Sequence, residues 1–171
     1  VVTAEGTYEK IGFELGHKLA DEIYHNISLL NRAIIKKGMK KKEIDIYNQF
    51  YVDLASTSSK KLMEGLSRGS GISYDSILSY NALLEVLNPE ECTTFAAVGS
   101  ASLGGKTYLM KNRDTQGRYE FEGEGYYKNR WINIIQCLKT DDGNVMIGVT
   151  NAGSTGFMAG MNKHGVAVAS N

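Results

Sequence analysis

The segment PEECTTFAAV, residues 89–98, sets a cysteine at the head of a strand-like run, directly behind the chain's single proline and two glutamates. By residue type alone Cys92 reads two ways. A buried cysteine is ordinarily a small hydrophobe. A thiol held at a strand end, behind a breaker, is positioned as a nucleophile. Two polar clusters favour the second reading. KNRD, residues 111–114, closes a strand-like run that would pair with the one Cys92 opens. GMNKHG, residues 160–165, occupies another turn. In an antiparallel hairpin one strand starts where its neighbour finishes, so Cys92 and 111–114 meet at one end of a sheet.

A nucleophilic thiol needs a base. His17 and His25 fall in a helical stretch and His164 in a turn, so none is expected beside Cys92. One other group titrates near neutrality, an α-amine, with a pKa of about 7.7–8.0. Cys92 would own one if the chain were cut before it. Thiol and base on one residue need no partner elsewhere in the sequence.

The elements that must hold these groups differ between the two halves. Residues 1 to about 88 read as helix. Ile11, Leu15, Leu19, Ile23, Ile27, Leu30 and Ile34 recur every three or four positions, an apolar stripe along one long helix ended by Gly38. A second helix is expected to carry Ile44, Tyr47, Phe50, Tyr51 and Leu54 inward, after which GLSRGSG breaks the chain. Ser73 caps a third helix, Tyr74–Leu87, with Asp75 in its first turn and Asn88-Pro89 stopping it.

After Cys92 the period becomes that of strands. TTFAAV and TYLMK flank a Gly/Ser-rich connection, WINIIQCLK and NVMIGVT flank Asp-Asp-Gly, and GFMAGMN and GVAVASN flank Lys163-His164. Three hairpins are expected, with a polar, glycine-rich, aromatic loop over residues 115–130. Helices first and strands later is the order of an α+β fold.

Composition narrows the function classes. The chain has 171 residues, 42% hydrophobic and 22% charged, within the range of one globular domain. Its 19 basic and 19 acidic side chains cancel, so no strong field points to nucleic acid or an anionic membrane. No apolar run approaches the ~20 residues of a membrane span, and no secretory leader is visible. Two cysteines are too few for a disulfide framework, and three scattered histidines lack metal-ligand spacing. A reducing, cytoplasmic setting is the expectation, with no metal or cofactor. The start at Val1 and the stop at Asn171, straight after a strand-like run, suggest part of a longer protein.

CTTFAA, then KNRD, then GMNKHGVAVASN resembles the penicillin acyltransferase-like group of N-terminal-nucleophile (Ntn) hydrolases, related to the bile-salt hydrolases and acid ceramidases. The opening GTYEKIGFELGHKLADEI and the stretch EGLSRGSGISYDSILSYNALLE are similar as well, so the resemblance covers nearly the whole chain. It implies a four-layer αββα sandwich, in part, and a precursor that cuts itself between Glu91 and Cys92. Residues 1–91 would be the helical pro-segment and 92–171 the start of the catalytic subunit. Cys92 would be the nucleophile with its own α-amine as base. Asp114 matches the aspartate that holds amine and thiol, and Asn171 an asparagine of the oxyanion hole; Asn162 reads as structural. Lys111, Arg113 and Tyr126 are the candidate substrate-binding residues. Bile-salt hydrolases carry arginine at the position of Lys111, and lysine lacks a guanidinium's fork-shaped pairing, so that branch's substrate preference is not carried over. Glu91 stands where penicillin acyltransferase has glycine.

The implied substrate is a small linear amide or acyl-thioester with a modest acyl group. The implied partner is the other cleaved half, with homo-oligomerisation open. A family member that does not process itself and serves as a binding or scaffold protein is the alternative.

Four other features have structural readings. The lysines at 36, 37 and 40–42 form a solvated helix end, an anionic contact being the alternative. GLSRGSG lacks the Gly-Lys-Ser/Thr of a phosphate loop. Asn26-Ile27-Ser28 is a glycosylation sequon read as fortuitous, and Cys137, among apolar neighbours, is expected in the core. The aromatic residues of 119–127 line an acyl pocket or sit on a surface loop.

Overall fold

The computed structural model describes residues 1–87, 91–114 and 130–170, with the backbone alone at 91, 113 and 114. Most of the expected loop 115–130 lies outside the described residues, as do Asn88, Pro89, Tyr126 and Asn171.

The apolar stripe is buried from Ile11 to Leu30, but two helices carry it. Helix α1, Tyr8–Lys18, starts at Thr7, whose hydroxyl accepts from the Lys10 amide at 3.2 Å. Leu19 leaves the helical region at φ −125° and ψ 23°, and α2, Ala20–Lys37, follows at once. A one-residue break leaves the stripe on the inward side, which is why the period did not reveal it. Gly38 caps α2 at φ 65°, its N–H bonded to the carbonyls of Ile34 and Ile35.

Helix α3, Lys41–Leu54, corrects an expectation. Ile44 and Tyr51 pack against the core, while Tyr47, Phe50 and Leu54 are exposed, Phe50 by 63% and Leu54 by 70%. The helix meets the molecule along one edge, where Asn48 donates to Ser79 Oγ at 2.8 Å. The lysines beside it are exposed, and Lys41 pairs with Asp45 at 2.9 Å.

Helix α4, Thr57–Ser70, is a second correction: GLSRGSG is helical through Ser70, and only Gly71, at φ 74°, ends it. The glycines form a contact face. A Cβ on Gly65 would lie 2.1 Å from the Glu9 carbonyl oxygen, one on Gly69 2.1 Å from that of Phe13, and one on Gly12 2.2 Å from that of Leu62. Gly12 and Gly65 face each other directly, while Gly16 meets the backbone of Leu66 and Ser70, and Gly69 that of Phe13 and His17. Glycine gives up about 1 kcal/mol of helix propensity at each site, and backbone-to-backbone packing offsets it. Helix α5, Tyr74–Leu87, has the expected start, with the Ser76 amide donating to Ser73 Oγ at 3.3 Å.

The amino-terminal half is not wholly helical. Strand β1, Val2–Gly6, runs parallel to β4, Asn133–Thr140. The sheet continues antiparallel through β5, Val145–Asn151, β6, Ala159–Asn162, and β7, Ala167–Ala169. The last two hairpins are therefore as expected. The first hairpin, β2 (Glu91–Ala97) with β3 (Tyr108–Asp114), is a separate two-stranded sheet. The molecule is α+β.

The helices cover one face of the large sheet, burying Ala4, Gln136, Leu138 and Thr140. The other face presents Ile135, Ile147, Val149 and Met161, all partly exposed. Cys137 is half-buried between Gln136 and Leu138, which are buried, so strand alternation puts it on this outer face and not in the helix-covered core. Asn26 stitches α2 to the sheet: its Nδ2 donates to the carbonyls of Ile132 and Ala152 at 3.1 and 3.0 Å, and its Oδ1 accepts from the Ile132 amide at 2.8 Å. With Asn26 0% exposed, the sequon is closed to modification in the folded chain. Among the described residues no helix is long and apolar enough to cross a membrane.

Candidate active site

Cys92 is the second residue of β2, and its Cα partner across the hairpin is Arg113; Glu91 stands opposite Asp114. The backbone of Asp114 is therefore one step from Cys92's partner, next to the peptide bond between Glu91 and Cys92. This is the juxtaposition expected of an antiparallel pair in which one strand starts where its neighbour finishes. The Cys92 thiol is half-buried and not disulfide-bonded. Its side chain lines a cleft of about 560 Å³ between the small hairpin, α3, α5 and the end of β5. Ligand pockets commonly span ~300–1,000 Å³.

Lys111 also lines this cleft, and its ammonium donates to the Ser170 carbonyl, tying β3 to the segment that follows β7. An ammonium has three donors, so this bond leaves capacity for a ligand. No histidine lines the cleft. His17 and His164 are exposed, and His25 Nε2 donates to the Arg130 carbonyl at 2.9 Å. Among the described residues no group of three or more His, Cys, Asp or Glu side chains is arranged to hold a metal ion.

The facing wall is residues 150–158, and α3 and α5 hold it in place. Asn81 on α5 donates to the carbonyls of Ile77 and Gly153 at 2.9 and 3.0 Å. Its Oδ1 accepts from the Thr155 amide and hydroxyl at 2.8 and 3.1 Å. Tyr51 on α3 reaches the same hydroxyl at 2.9 Å. Thr150 donates to the Gly156 carbonyl, closing the loop on itself. Phe157 lies over Gly148, where a Cβ would come within 2.6 Å of its ring. Leu84, Phe157 and Met158 make the apolar part of the lining, and Glu85 stands exposed at its rim.

Of the residues expected at the site, the cleft brings together Cys92 and Lys111, and the backbone brings Arg113 and Asp114 alongside. Asn171 and Tyr126 lie outside the described residues. Asn162 caps its own turn, its Oδ1 accepting from the amides of His164 and Val166 at 3.0 and 3.1 Å, so it is structural. The sequence reading missed Asn81, Thr150 and Asn151, all in the cleft wall. Their only signal was a polar residue amid apolar neighbours in the LSYNALLE and MIGVTN runs. No protein-family model matches the chain, and no curated protein matches it.

Proposed function

We propose that the protein is a self-processing cysteine Ntn hydrolase or acyltransferase whose nucleophile is Cys92. One observation carries the reading: the Cys92 thiol, at the head of β2, lines a ligand-sized cleft with Lys111, beside the backbone of Asp114. In the first step the thiol attacks the Glu91 carbonyl. The peptide bond becomes a thioester, and the Cys92 α-amine is released. Water then opens the thioester, leaving a Glu91 carboxylate and restoring the thiol.

In turnover the α-amine takes the thiol proton as sulfur attacks the substrate carbonyl. The tetrahedral intermediate collapses to an acyl-enzyme. The departing amine carries away the proton, or the departing thiol does if the substrate is a thioester. Water or a second amine then takes the acyl group. Asp114 steadies the ammonium form of the base, and Asn171 serves the oxyanion; losing one such donor typically costs ~10²–10³ in rate. Lys111 orients the polar end of the substrate, while Leu84, Phe157 and Met158 receive a modest acyl chain.

The αββα sandwich belongs to the same proposal. Helices cover one face of the large sheet, and the other carries an apolar row of a kind that packs against a second sheet. An activated ester, p-nitrophenyl butyrate, tests the chemistry. Peptide mapping after brief exposure should find the butyryl group on Cys92 and little on Cys137. Equal labelling of both thiols would count against a catalytic Cys92.

A further inference from the structure

Most polar side chains of the cleft wall are already committed. Asn81 uses both ends of its carboxamide, Thr150 gives its O–H to Gly156, Tyr51 and Thr155 bond each other, and Lys111 donates to Ser170. Asn151 differs. It is the last residue of β5, 1% exposed, and lines the cleft, yet among the described residues its buried Oδ1 has no hydrogen-bond partner. A buried acceptor without a donor is a standing penalty. A ligand that brings an N–H to it removes that penalty. One that brings an ester or thioester linkage does not.

We propose that Asn151 is a specificity-determining residue whose side-chain oxygen accepts the N–H of a secondary amide, fitting the cleft to amides over esters and thioesters of the same shape. This rests on the reading of the cleft as the acyl site of Cys92, and it narrows the substrate from amide or thioester to amide. Sites built to bond a substrate N–H reject analogues lacking it more strongly than apolar pockets reject a change of size.

The test is binding, with Cys92→Ala in the full chain so that no turnover intervenes. The probes are N-phenylhexanamide and phenyl hexanoate, which differ only in N–H against O, titrated by calorimetry. The parent should bind the amide about tenfold or more tightly than the ester. Adding Asn151→Leu, which removes the orphan acceptor at similar volume, should equalise the two. Asn151→Asp, which keeps the acceptor, should preserve the preference, and melting curves check that both variants fold. A preference that persists in Asn151→Leu, a parent with no preference, or a parent that binds neither probe overturns the proposal. Because binding is read without the thiol, failure of Cys92 to cleave or acylate is scored separately and leaves this result standing.

Discussion

Replacing Gly65 with alanine sets two effects of opposite sign against each other. In an open helix the change would stabilise by about 1 kcal/mol, since alanine is the better helix former. Here the new methyl would sit 2.1 Å from the Glu9 carbonyl oxygen, 2.7 Å from the Phe13 nitrogen and 2.9 Å from the Gly12 carbonyl carbon. All three are backbone atoms, so no side chain can swing aside. A carbon–oxygen contact settles near 3.3 Å, so α1 and α4 must part by roughly 1.2 Å around Gly65. Overpacking of this kind typically costs about 1–3 kcal/mol, and rigid atoms on both sides argue for the upper end. The net expectation is a loss of about 2 kcal/mol, or roughly 4–8 °C in melting temperature for a chain of this size. Urea titration followed by far-ultraviolet circular dichroism measures it. Gly156→Ala is the control, because a Cβ there meets nothing within 4 Å. Pairing Gly65→Ala with Gly12→Ala should cost less than the two losses combined, since the seam parts only once. A stabilised Gly65→Ala protein, or one no different from the control, would refute the argument that the glycines are there for contact.

Three further expectations follow from the buried polar anchors and one turn. Asn26→Ala strands the Ile132 amide and two carbonyls, and should destabilise by about 1–3 kcal/mol in the same titration. Asn81→Leu releases the Thr155 amide and the Gly153 carbonyl, so hydrogen exchange at Thr155 should accelerate while the α1–α4 seam stays protected. The Thr140 hydroxyl, followed by the Asn144 amide, holds the Asp142 carboxyl below the usual carboxylate range. Its contribution is present above the ordinary carboxylate pKa of about 3.9 and is lost as pH falls through the lower folded value. Carboxyl NMR should show that depressed titration, and Thr140→Val should move it back toward normal.

The helical stripe and the three hairpins were legible because their signals are local: apolar spacing near 3.6, and turn residues between alternating runs. The helix break at Leu19 was hidden, since a single residue leaves the spacing intact. GLSRGSG misled because glycine has two uses. It breaks a helix by entropy, or it lets another backbone touch, and only the facing backbone of α1, from Glu9 to His17, decides between them. Strand β1 was missed because five residues with one buried side chain carry little pattern without β4 beside them. Tyr47 and Phe50 of α3 were assigned inward by type, and the shallow contact of that helix leaves them out. At the site, Cys92 was found by its residue type and its position at a strand head. Asn151 was not found, because its interest lies in a missing partner, and a sequence does not display missing partners.

The account rests on the bond before Cys92 being cut by the thiol behind it. Intact mass spectrometry of the purified protein, with Cys92→Ala alongside, addresses that bond directly. The account predicts two chains from the parent, one ending at Glu91 and one beginning with an unblocked Cys92, and a single uncut chain from the variant. A parent that stays whole through prolonged incubation, or a variant that is cut at the same bond, would contradict it.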